Sequence, residues 1–61
     1  MYILRYRVKD AYMATNNRGE SVWRDAYFET APMSMSEIRT VRASLETDDK
    51  VSQIKLVKVH A

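Results

Sequence analysis

Few side chains in this sequence could carry a reaction. His60 is the only histidine and there is no cysteine. A hydrolytic site needs a nucleophile, a base and a group that orients the base, and His60, next to the last residue, reads instead as a structural or solvated side chain. The missing thiol also excludes thiolate catalysis, a disulfide framework and a cysteine-ligated zinc. Glu46, Asp48 and Asp49 form the one tight acidic group. Paired carboxylates can do acid–base work, but these three stand at a predicted helix end beside Lys50, where solvated charges are expected. They lack the spacing and central glycine of a calcium loop, and with Gly19 as the sole glycine there is no phosphate-cradling loop. The sequence therefore reads as non-enzymatic, with no cofactor and no metal.

What remains is the chemistry of binding. Arg5, Arg7 and Lys9 fall on alternate positions, and Arg24 can extend their row from a neighbouring strand. Basic groups beside strand aromatics are what stacking on single-stranded nucleic acid requires. Against that reading, ten Lys and Arg face eight Asp and Glu, a net charge of +2, and Asp10, Asp25 and Glu29 interleave the row. A nucleic-acid-binding module using Arg5, Arg7, Lys9 and Arg24 is thus the alternative reading. The leading one is a protein–protein surface, with Trp23 and Tyr27 as aromatic anchors and Arg24, Arg39 and Arg42 as charged ones.

These residues need elements to hold them. From Leu4 to Lys9 the sequence alternates strictly, with Leu4, Tyr6 and Val8 against Arg5, Arg7 and Lys9, which predicts a half-buried strand. Ala11-Tyr12-Met13 continues it across a bulge. Thr15-Asn16-Asn17-Arg18-Gly19-Glu20 collects residues that tolerate left-handed backbone, hence a hairpin turn. Ser21 to Glu29 forms a second strand, with Val22, Ala26 and Phe28 on one face and Trp23, Asp25 and Tyr27 on the other. Pro32 ends the ladder. Ser34 with Glu37 predicts a capping box, and Met33 with Ile38 a hydrophobic staple. The helix should run from Met35 to about Glu46 with Ile38, Val41 and Leu45 inward. Val51 to Val59 reads as a third strand, with Val51, Val57 and Val59 on one face. The fold class is α+β: a three-stranded antiparallel sheet, β-β-α-β with strand order 2-1-3, and one helix packed on one face. One short helix cannot cover both faces, so some of Tyr2, Trp23, Tyr27, Val57 and Val59 should stay uncovered.

Sixty-one residues make one small domain. Chains of this size bury only about 60% of the surface exposed on unfolding, so without disulfide or metal a homodimer is expected. No apolar run approaches the length of a bilayer span, and Arg5 and Arg7 interrupt any signal-peptide pattern. The expected setting is cytoplasmic, with no membrane partner.

The order β-β-α-β, the helix start Met33-Ser34-Met35-Ser36-Glu37 and the closing strand Ile54-Lys55-Leu56-Val57-Lys58-Val59 resemble the small dimeric phage inhibitors of uracil-DNA glycosylase. That resemblance implies a dimer that binds a host protein and blocks its DNA-binding cleft, with Glu29 matching an acidic group on the second strand. The family is strongly acidic and carries aromatic rings on its helix, whereas this sequence is net basic and shows Ile38 and Arg42 there. Its general implication is a phage or prophage accessory protein that inhibits or modulates a host protein by steric occlusion.

Overall fold

The computed structural model describes residues 1–60. Its elements are β1 (Tyr2–Thr15), β2 (Ser21–Glu29), α1 (Met35–Glu46) and β3 (Val51–Lys58). The sheet has the order β2-β1-β3, with β1 antiparallel to both neighbours. This is the α+β arrangement that the sequence pattern predicts.

The β1–β2 hairpin turns where asparagine and glycine predict it. The Asn16 carboxamide oxygen accepts from the backbone N–H groups of Arg18 and Glu20 at 2.9 and 3.0 Å. Gly19 takes the left-handed backbone, at φ 78°. The expected bulge lies between Val8 and Tyr12, where Asp10 itself has φ 53°.

Helix α1 begins at Ser34, whose hydroxyl accepts from the Glu37 N–H at 3.4 Å. The capping box is half formed: the Glu37 carboxylate accepts from the Ser34 hydroxyl rather than from its backbone N–H. The chain enters the helix after Met33, which bridges to Tyr2, and re-enters the sheet at Val51, opposite Val8. The helix therefore lies along the Tyr2–Val8 stretch of β1. Ile38 and Leu4 are the two fully enclosed side chains. Arg5 and Glu29, on the opposite face from Leu4, stay more than half exposed. The covered face is thus that of Leu4, Tyr6 and Val8, with Phe28, Ala26, Leu56 and Val51 opposite them. The other face carries no helix and is open except at Ile3, which is buried there.

One expected facing changes. Strict alternation puts Val51 and Val57 on the same face, but β3 carries an extra residue between Ser52 and Lys55, with Gln53 at φ 52°. Val51 consequently opposes Val8 on the covered face, while Val57 opposes Ile3 on the open one. Tyr2 likewise alternates with Leu4 and falls on the covered side. α1 packs on β1 and β3 and makes no packing contact with β2, which leaves β2 an edge strand without a roof.

Candidate interaction face

The open face is built from the odd-numbered residues of β2 and their partners. Glu29 opposes Arg5, Tyr27 opposes Arg7, and beyond the bulge Trp23 opposes Met13. Because successive strand residues point to opposite faces, Trp23, Asp25, Tyr27 and Glu29 emerge together. Tyr27 is 70% exposed, Trp23 58% and Met13 50%. The Tyr27 hydroxyl reaches across β1 to the Gln53 carboxamide oxygen, 3.5 Å away.

Charges alternate with these rings and neutralise one another. The Arg5 guanidinium pairs with Glu29 at 2.6 Å, and Arg7 pairs with Asp25. Asp25 does two jobs, because its other oxygen accepts the Asp10 N–H at 3.0 Å and holds the bulge. That backbone hydrogen bond first, and the Arg7 guanidinium second, hold the Asp25 carboxyl below the usual carboxylate range. Lys9, and Lys55 opposite Arg5, also fall on this face without an acid partner among the described residues, so its arginines are pre-paired around the apolar rings while two lysines remain. Paired arginines beside aromatic rings suit a protein surface, and the two lysines are the charge left over for a phosphate backbone.

The residues selected from sequence divide into two groups. Trp23, Tyr27 and Glu29 share the open face with Arg5, Arg7 and, by alternation from Arg7, Lys9. Arg24 does not join that row: it opposes Tyr12 and alternates with Ala26, so it emerges on the covered side. The basic row imagined across Arg5, Arg7, Lys9 and Arg24 is therefore split between two faces, and Arg5 and Arg7 are already spoken for by acids. Arg39 and Arg42 are exposed on α1, with Arg42 pairing along the helix to Glu46 at 3.1 Å. They lie on the helix layer, away from Trp23 and Tyr27.

Two contributors escaped the sequence reading. Met13, to which the strand pattern gives no role, stands beside Trp23; the bulge fixes that pairing by setting three β1 residues, Lys9 to Ala11, against Asp25 alone, a count that periodicity does not reveal. Asp25, an interleaving acid in the sequence pattern, positions both Arg7 and the bulge. Among the described residues there is no pocket and no cluster of His, Cys, Asp or Glu arranged to hold a metal ion. No helix is long and apolar enough to cross a membrane.

Fold and face together define a small helix-on-sheet protein whose prominent feature is a helix-free, aromatic-bearing sheet surface. No family model, curated protein or solved structure matches the chain.

Proposed function

We propose that this chain is a non-enzymatic accessory protein of phage or prophage type, which forms a homodimer and inhibits or modulates a host protein in the host cytoplasm by covering part of its surface. Trp23 and Tyr27 are the anchors, Met13 extends the apolar area, and the Arg5–Glu29 and Arg7–Asp25 pairs form a polar rim. The observation that carries the reading is an imbalance of burial. Three hydrophobic side chains, Ile3, Leu4 and Ile38, are buried, while Trp23 and Tyr27 stand among seven large hydrophobic residues left exposed. Of the seven, Met13, Trp23 and Tyr27 share the open face, while Tyr12, Phe28 and Leu56 fall on the other side. Exposed apolar side chains grouped on one face mark interaction sites, and aromatic residues with arginine dominate such interfaces energetically.

The test is retention of a host protein by the immobilised chain, compared with Trp23→Ala and Tyr27→Ala. The reading expects retention that survives 0.5 M salt, where the Debye length is roughly 4 Å against about 8 Å at physiological ionic strength, and that each alanine variant loses while keeping its circular dichroism. Retention unaffected by both substitutions refutes the anchors. Retention of nucleic acid that collapses between about 50 and 200 mM salt replaces this reading with the basic-strand alternative. The narrower target implied by the resemblance has its own assay, uracil release from DNA by the glycosylase. A stoichiometric block supports that target, and an unchanged rate removes it without touching the wider proposal.

A further inference from the structure

The two edges of the sheet are unequal. β3 carries Lys55 and Lys58 and is kinked by its bulge at Gln53, devices that discourage another strand from adding to an edge. β2 has neither. It runs from Ser21 to Glu29 without lysine, proline or glycine, and α1 does not overhang it. Its even-numbered residues turn their backbone groups to β1, as Thr30 does beyond the strand end with its N–H on the Leu4 carbonyl at 3.0 Å. Trp23, Asp25, Tyr27 and Glu29 therefore present theirs outward, as an unpaired ladder.

We propose that β2 pairs antiparallel with β2 of a second copy of this chain, across a two-fold axis at Ala26, giving a continuous sheet of the order β3-β1-β2-β2-β1-β3. This deepens the proposed function by placing its homodimer; it rests on the dimer and not on the identity of any host target. The register follows from charge. Centred on Asp25, the strands would set Asp25 against Asp25. Centred on Arg24 they would set Arg24 against Arg24, and centred on Tyr27 they would set Asp25 against Glu29. Like charges directly opposite one another are destabilising. Axes nearer either end of Ser21–Glu29 pair only a short stretch of strand.

Centred on Ala26, no like charges stand directly opposite one another, and Asp25 of each copy meets Asp25 and Glu29 of the other only on the longer diagonals. Trp23 faces Glu29 of the second copy, Asp25 faces Tyr27, and Arg24 lies against Phe28, whose ring is 44% exposed and available to a guanidinium. The outward backbone groups of Trp23, Asp25, Tyr27 and Glu29 are all used. The open faces of the two copies then run together, so Trp23 of each copy comes diagonal to Tyr27 of the other. Edge pairing leaves these rings accessible from above and doubles the surface offered to a host protein.

A single cysteine tests this directly, because the chain has none of its own. Opposed residues of a non-hydrogen-bonded antiparallel pair have Cα atoms about 4.5 Å apart, within the reach of a disulfide. Ala26→Cys in the full chain should therefore oxidise to a covalent dimer in a glutathione buffer, while Ser44→Cys on the exposed helix surface stays monomeric on a denaturing gel. Light scattering of the unmodified chain should give twice the 7.1 kDa chain mass. A second pair of variants fixes the register: Phe28→Arg should halve that mass by opposing two guanidinium groups, and Phe28→Arg with Arg24→Glu should restore it, circular dichroism showing each chain folded. A monomeric parent overturns the proposal, and so does a dimeric parent whose Ala26→Cys variant forms no disulfide. A disulfide-linked dimer that retains no host protein upholds the interface and instead counts against the proposed function.

Discussion

Leu4→Ala tests how much rests on a very small core. Leu4 has no exposure at all, and Ile38 is 2% exposed. Truncating a fully buried leucine removes its transfer free energy and leaves a cavity, together about 3–5 kcal/mol. Stabilities of about 0.05–0.15 kcal/mol per residue give a chain of 61 residues roughly 3–9 kcal/mol in total. The substitution thus removes between a third and all of the folding free energy. Tyr27→Ala is the matched control. With 70% of Tyr27 already in water, the side chain of about 200 Å² has only some 60 Å² to lose, about 1.5 kcal/mol as an upper bound. Urea titration followed by circular dichroism, at fixed and matched protein concentration, reads both. Leu4→Ala should have little or no folded baseline, whereas Tyr27→Ala should retain a cooperative transition with its midpoint moved modestly. If Leu4→Ala shifts the free energy by less than 1 kcal/mol, the Leu4–Ile38 region is not what holds the fold together. If Tyr27→Ala proves the more damaging, the ring is structural and its role as a free anchor fails.

The remaining predictions concern single interactions. Because the Asp25 carboxyl is held below its unfolded value, the proton binds the unfolded chain more readily; its stabilising contribution is complete above about pH 4 and is lost as pH falls through the lower folded value. Asp25→Asn should flatten that acid limb in stability measured against pH, and an unchanged limb would show that other carboxylates set it. Ser34→Ala should cost about 1 kcal/mol of stability by removing the hydroxyl that caps Glu37, read as a fall in the urea midpoint. Gly19→Ala should cost on the order of 1 kcal/mol through its left-handed backbone alone, since an added Cβ meets nothing within 4 Å. A loss much larger than that would mean the turn packs against something.

How far the site was legible in the sequence follows from the range of the interactions that make it. Alternation separates Trp23, Asp25 and Tyr27 from Val22, Ala26 and Phe28 with no knowledge of the fold, because a strand turns each side chain over from its neighbours. The hairpin turn, the Ser34 cap and the helix from Met35 to Glu46 are equally local, each decided by residues within a turn of one another. Helix and strand order then leave few topologies, and order β2-β1-β3 is the simplest of them.

Pairing across strands is another matter. The extra residues near Asp10 and Gln53 shift register, and the single one near Gln53 also moves side chains between faces. Only the assembled sheet could therefore bring Met13 beside Trp23, separate Val51 from Val57, and send Arg24 to the face opposite Arg5 and Arg7. The pairing of Arg5 with Glu29 and Arg7 with Asp25 belongs to the same class, as do the positions of Arg39 and Arg42 on a separate layer. By itself the sequence determined the elements, their order and the two-faced character of β2. The tertiary structure decided which charges are neutralised, which rings stand free and which edge lies open, because those depend on contacts between residues some twenty positions apart, as in the Arg5–Glu29 and Arg7–Asp25 pairs, and no periodicity along the chain records that separation.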